Sequence, residues 1–204
     1  MTRPMRADAK RNREKLLAVA VTLLSGARES DAEVPLESIA KRAGVGIGTL
    51  YRHFPTRAAL IEAAYRHEVQ RLCAAAGELA ARLPPDVALR EWMDRFVSYV
   101  ITKRGMAAAL QSVVASDSTL YAQTYQQMVE ALTTLLHAGA ADGTIREDVE
   151  AADVLRALSG VWMVADSPDA REQAERLLNL LMDGLRYGAE VNSGKRPDRQ
   201  PTVR

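Results

Sequence analysis

Between Lys41 and Arg57 lie several side chains that can donate hydrogen bonds to anionic oxygen, among them Lys41, Arg42, Thr49, Tyr51, Arg52, His53 and Arg57. Tyr51, Arg52 and His53 suit phosphate oxygens. Thr49 offers a hydroxyl and a methyl to base edges or phosphate, and Ile47 an apolar contact of the kind a thymine methyl accepts. Interleaved with them are three glycines at alternate positions, Gly44, Gly46 and Gly48. Glycine inside a helix costs about 1 kcal/mol relative to alanine, so each needs a reason. Gly44 can end one helix in the left-handed conformation, and Gly46 starts the next without a side-chain cap. Gly48, in the first turn, leaves the backbone open to close approach by a partner.

The elements that must hold these residues are helical, because apolar residues recur with helical period nearly everywhere and with the alternation of a strand almost nowhere. The expected fold class is therefore all-α. Leu16, Leu17, Ala20, Leu23 and Leu24 stripe a first helix, with Asp8 as its cap and Gly26 as its stop. Leu36, Ile39, Ala40 and Ala43 mark a short second helix entered after Pro35 and ended by Gly44, and a third covers roughly 46–54. Thr56 caps a fourth, striped by Leu60, Ile61, Ala64, Leu72 and Ala76 as far as about Leu83. At about 1.5 Å per residue it is roughly 40 Å long, enough to join two domains.

Five more helices follow. One opens at Pro84-Pro85 and carries Leu89, Trp92, Met93, Phe96 and Val100; a short one after Gly105 carries Met106, Leu110 and Val113. A capped start at Ser116, Asp117 and Ser118 leads through Leu120, Leu132 and Leu135 to Ala138, and the last two run over Asp148–Val164 and Asp169–Tyr187. The tail after Gly188 has no periodicity and is expected to be disordered. The implied division is a reader domain over 1–56, a larger helical domain over 57–190 with its first helix as connector, and a tail over 191–204. Nothing repeats at a fixed period. Gly44-Val45-Gly46 has the length and composition of the turn in a helix-turn-helix, whose second helix enters a major groove.

Charge sharpens that reading. Residues 1–57 carry 11 Lys and Arg against 6 Asp and Glu, a net of +5, and the remainder carries 16 against 20, a net of −4. A basic end on an acidic body fits contact with nucleic acid through one end, since cations release condensed phosphate counterions. Solvated surface produces the same imbalance. Other classes fare badly: a single cysteine, Cys73, excludes an intrachain disulfide and a multi-cysteine zinc cluster, and the three histidines form no close group. No metal site or cofactor motif is expected, and no nucleophile–histidine pairing or phosphate loop argues for an enzyme. No apolar run approaches the ~18 residues of a membrane span and no signal peptide opens the chain, so the expected location is cytoplasmic.

The run from about Arg11 to Leu60, above all "PLESIAKRAGVGIGTLYRHFPTRAALIEA", resembles the DNA-binding domain of the TetR family of bacterial transcriptional regulators. The nine-helix layout with its long fourth helix is similar to that family too. The resemblance implies a homodimer whose last two helices form a four-helix bundle with the partner's, a ligand cavity in each larger domain, and repression released when ligand binds. Carried over by position, it puts Ile47, Gly48, Thr49, Tyr51, Arg52 and His53 on the recognition helix and Arg57 near phosphate. Two positions depart from the family pattern. Gly46 stands where serine is common, which removes a side-chain cap and a phosphate donor; Arg57 stands where lysine is common, which keeps the charge. "LREWMDRFVSYVITKRGMAAALQSVVASDSTLY" and "LLNLLMDGLR" further resemble a less characterised TetR subgroup.

In the larger domain Trp92, Phe96, Tyr99, Met106, Leu110, Gln111, Tyr121, Tyr125, Met128 and Trp162 could line a largely apolar cavity with a few polar handles, or serve simply as core. The implied effector is a small, largely apolar molecule. Leu177, Leu178, Leu181 and Leu185 on the ninth helix, with Leu155 and Leu158 on the eighth, make an apolar face wide enough to pair with a twofold mate. A ligand-responsive dimeric repressor on a palindromic operator is the leading reading; a small-molecule carrier or interaction protein that no longer reads DNA is the alternative.

Overall fold

Nine helices and no strand make up the described residues of the computed structural model, which are 3–26, 34–115, 119–160 and 170–189. They are α1 (Arg3–Gly26), α2 (Leu36–Ala43), α3 (Ile47–His53), α4 (Arg57–Ala80), α5 (Pro85–Gly105), α6 (Ala107–Val114), α7 (Leu120–Ala141), α8 (Ala151–Ser159) and α9 (Ala170–Arg186). The all-α expectation holds. Among the described residues no helix is long and apolar enough to cross a membrane. The chain falls into two compact units, Met1–Leu72 with Ser98–Gln127 and Cys73–Val97 with Met128–Arg204.

In the first unit α1, α2 and α3 pack on one another. Leu16, Leu17, Ala20 and Leu24 of α1 meet a core that also contains Ile39, Ala40, Leu50 and Phe54, all buried. Helices of 8 and 7 residues, such as α2 and α3, are too short to persist alone, so packing must hold them. Each fully buried leucine contributes roughly 1.5–3 kcal/mol toward that. Between α2 and α3 the chain turns at Gly44, whose φ of 70° is the left-handed conformation that a side chain disfavours. The turn closes as Val45 N–H donates to the Ala40 carbonyl at 3.0 Å and Gly44 N–H to the Lys41 carbonyl at 3.1 Å, which satisfies carbonyls that a helix end leaves open. Val45 is half-buried beneath it.

Several sequence expectations shift at helix ends. Asp8 does not cap α1, which begins at Arg3; it lies inside the helix and pairs with Arg11 one turn on. Leu23 is only half-buried, at the edge of the stripe. Thr56 does cap α4, its hydroxyl accepting from Ala59 N–H at 3.1 Å. At 24 residues α4 is about 36 Å long, and it stops at Ala80, where a tighter turn leads into Pro84.

The second unit is built on Leu89, Trp92, Met93 and Phe96 of α5, Leu132, Leu135 and Leu136 of α7, and buried residues of α8 and α9. The Trp92 and Phe96 rings stack at 5.9 Å. Here α7 continues past Ala138 to Ala141, because Gly139 is not a stop. A Cβ on Gly139 would lie 2.4 Å from Ile145 Cγ1, so the missing side chain makes room for Ile145 to fold back against the helix. The chain turns instead at Gly143, with φ 74°. Helix α8 starts at Ala151 rather than Asp148, which is held in a two-pronged pair with Arg146 at 2.6 and 2.7 Å. The expected caps at 116–118, the end of the eighth helix beyond Gly160 and the tail over 191–204 lie outside the described residues.

Candidate nucleic-acid interface

Helix α3 has one side in the core and one turned to solvent. Leu50 is its one buried residue, and Phe54, just past its end, is buried too. The Arg13 guanidinium of α1 lies 5.2 Å above the Phe54 ring, adding a cation–π contact to that anchor. Turned away from the core are Ile47, 38% exposed, and Tyr51, 46% exposed, with Gly48 and Arg52 also exposed. Thr49 and His53 are half-buried on the flanks. Lys41 and Arg42 extend the same polar surface from the last turn of α2, and both are exposed. Tyr51 is therefore too exposed to be a core aromatic.

Gly46 is the residue before α3, in extended backbone with φ −69° and ψ 147°, and its carbonyl accepts from Thr49 N–H at 2.9 Å. That geometry is open to any residue, and a Cβ there meets nothing within 4 Å. Gly46→Ser should therefore fit, cap a free amide of the first turn and stabilise α3 by a few tenths to about 1 kcal/mol. The expected result is tighter DNA binding by the variant in a fluorescence anisotropy titration; weaker binding would count against the cap argument. At Gly48 an added Cβ likewise meets no protein atom within 4 Å. Nothing in the chain itself demands glycine at that exposed position.

Arg57, expected beside phosphate, has a structural partner. Its guanidinium donates to the Val34 carbonyl at 2.5 Å and so ties the start of α4 to the entry of α2.

Comparison with known proteins fits this geometry. Residues 16–64 match the bacterial regulatory proteins of the tetR family, and residues 84–187, about half of the chain, match the C-terminal domain of SbtR-like transcriptional regulators. A solved TetR transcriptional regulator from Streptomyces coelicolor is 52% identical, with 85% of this chain and 98% of that one covered at a TM-score of 0.77. The chain belongs to the TetR family. A second TetR regulator of known structure, from Mycobacterium vanbaalenii, is 33% identical over 90% of this chain and 99% of its own, with a TM-score of 0.69. An HTH-type transcriptional regulator of Staphylococcus aureus is 41% identical over 56 residues, and the match spans 29% of that relative's length. As a TetR-family member the chain is a DNA-binding regulator of transcription and not an enzyme.

Of the TetR-family cavity residues expected from sequence, Trp92, Phe96, Tyr99, Met106, Leu110 and Met128 are buried and Tyr125 is half-buried. Gln111 and Tyr121 are exposed, because Gln111 lies on the outer side of α6 and Tyr121 one position off the buried line of α7. Trp162 lies outside the described residues. Within the first unit Tyr99 and Tyr121 gather around a residue that sequence reasoning passed over, Tyr65 of α4. Ring centroids are 6.4 Å apart for Tyr65 and Tyr99 and 5.7 Å for Tyr65 and Tyr121. The Tyr65 hydroxyl lies 3.1 Å from that of Tyr99 and 3.1 Å from Thr124 Oγ1.

Thr124 is buried, and its hydroxyl is 2.8 Å from the Leu120 carbonyl and 3.1 Å from that of Tyr121. A carbonyl can only accept, so Thr124 donates there, Tyr65 donates to Thr124 and Tyr99 to Tyr65. All three hydroxyl protons are committed inside the unit. Lys103 of α5 completes the group, its ammonium 4.4 Å from the Tyr121 ring centroid and 5.8 Å from that of Tyr65. The free thiol of Cys73 is half-buried, and burial together with nearby Glu130 pushes its pKa up to about 11, which keeps it protonated and unreactive near neutrality.

In the second unit α8 and α9 border an apolar groove of about 590 Å³, lined by Val149, Val154, Ala157, Leu177, Leu178, Leu180, Leu181 and Leu185 among others. Two residues expected at a dimer interface do not line it: Leu155 and Leu158 are fully buried in the unit's own core, on the inner side of α8. Leu178 and Leu185 are buried but reach the floor of the groove, and Leu177 stands 37% exposed at its side. Leu180, at 70% exposed, was missed because it falls outside the leucine spacing that marks the inner face of α9.

Proposed function

We propose that this TetR-family regulator is a cytoplasmic, ligand-responsive repressor that binds a palindromic operator as a homodimer. What chiefly supports the reading is the composition of the outer face of α3: Ile47, Gly48, Tyr51 and Arg52 stand exposed beside Lys41 and Arg42 while Leu50 alone holds the helix to its core. In this reading Ile47, Gly48 and Thr49 meet base edges, and Tyr51, Arg52, His53, Lys41 and Arg42 meet phosphate. Residues 1–56 are the reader domain, and 57–190 hold the effector site and the dimer contact. The apolar groove between α8 and α9 receives the partner's equivalent surface, which buries Leu177, Leu180 and Leu181. A twofold dimer places its recognition helices at half-sites one or more turns of DNA apart, about 34 Å per turn. Effector binding moves α4 and changes that spacing, lowering operator affinity.

The test is selection of genomic fragments by the purified protein, followed by titration of the enriched sequence. A palindrome is expected, with affinity falling steeply as salt rises. Tyr51→Ala and Thr49→Ala should each weaken binding by about tenfold or more, in line with the loss of a positioned base or phosphate contact. Failure to enrich any palindrome would sink the proposal.

A further inference from the structure

The buried line of α5 contains Trp92, Phe96 and Tyr99 and leads to Met106 just past its end, and helical spacing puts position 103 on that same line. The residue there is a lysine. Lys103 is half-buried, and its ammonium lies over the rings of Tyr121 and Tyr65, with no carboxylate in ion-pair range among the described residues. Burial lowers the pKa of Lys103 from its ordinary value, the expected cost of a charge taken from water without a counter-ion. Thr124, Tyr65 and Tyr99 give no relief, because their hydroxyl protons are used along the relay toward the Leu120 carbonyl. Tyr121, 37% exposed, is where the group opens to solvent.

We propose that Lys103 and Tyr121 form the anion-recognising end of the effector site, and that the effector is a small organic acid, one carboxylate on an apolar body of roughly aromatic size. The assignment rests on the reading that the chain responds to a ligand, and it replaces a purely apolar effector with an anionic one. A cation is repelled by the ammonium. A neutral ligand that covers the ammonium takes it further from water and adds no counter-charge to its ring contacts, which is the costlier arrangement. A carboxylate supplies the missing counter-charge as a charge-assisted hydrogen bond, and its apolar part lies against the tyrosine rings. A single lysine over the two rings suits one charge better than a phosphate dianion.

The experiment uses the full chain and three probes of one shape: 1-naphthoate, neutral 1-naphthamide and cationic 1-naphthylmethylamine. Calorimetric titration should show 1-naphthoate binding at least about tenfold more tightly than the other two, as expected for a charge-assisted contact. Lys103→Met, which keeps the unbranched stem, should lose that preference, and Lys103→Arg should regain it. Equal binding of 1-naphthoate to wild type and Lys103→Met, or no binding of 1-naphthoate at millimolar concentration, overturns the assignment. Release of a selected DNA fragment separates the two readings. If 1-naphthamide releases it from wild type and Lys103→Met alike, the ligand response stands and the anion site falls. If 1-naphthoate binds through Lys103 and leaves DNA binding unchanged, the anion site stands and the ligand response falls.

Discussion

Leu180→Glu is expected to convert a dimer into a monomer and to abolish tight operator binding. Leu180 is the most exposed of the leucines along the α8–α9 groove, so a glutamate there is solvated in the single chain and the fold should survive. In a twofold dimer the substitution enters the interface twice, and each carboxylate must leave water for a surface made of Leu177, Leu181, Val154 and Ala157. An unpaired buried charge costs several kcal/mol per ion, which exceeds what a modest interface retains. Sedimentation velocity should show the monomer, with unchanged far-UV circular dichroism. Loss of the dimer also separates two half-site contacts, and operator affinity should fall by about 10²–10⁴. A dimer that persists with native affinity would move the interface to another face.

The second large effect is expected at Gly105. A Cβ there would lie 2.1 Å from the Ser25 carbonyl oxygen and 2.7 Å from the Ser25 Cα and carbonyl carbon. These are backbone atoms at the end of α1, which cannot rotate aside as a side chain does. Gly105→Ala must therefore push the end of α5 away from the end of α1, a form of overpacking that costs about 1–3 kcal/mol. At about 2–4 °C per kcal/mol for a chain of this size, a calorimetric Tm should fall by roughly 2–12 °C. Because α1 carries the core of the reader helices, operator binding should change with it. Gly77→Ala is the matched control. It lies inside α4, where an added Cβ meets nothing within 4 Å, and it should raise stability by up to about 1 kcal/mol. If both alanines behave alike, the contact with Ser25 is not rigid.

The reader end was legible in the sequence because its signals are local. A glycine with positive φ and a threonine cap are each set by neighbours a few residues away, and each is found where the spacing predicts. The other end depends on which face of a helix meets which neighbour, and single-helix periodicity does not report that. Leu155 and Leu180 are both leucines on amphipathic helices, yet one is sealed in the core and the other stands in solvent. Gly139 follows the expected helix end at Ala138, but its role is set by Ile145 folding back on it. Lys103 did carry a signal, a charge on an apolar stripe. Reading it required tracing the line from Trp92 to Met106 for its one misfit rather than for its apolar members.

In α3 the anchor is separate from the exposed side: Leu50 is buried, Ile47, Gly48, Tyr51 and Arg52 are exposed, and only Thr49 and His53 on the flanks are half-buried. Substitutions on the outer side therefore leave the core untouched, and surface changes of that kind usually shift stability by no more than about 0.5 kcal/mol. Operator preference is in this way free to drift across generations without passing through unfolded intermediates. The same separation makes the helix a replaceable cassette, whose outer positions can be randomised to retarget the regulator while the inner leucine keeps every member of the library folded.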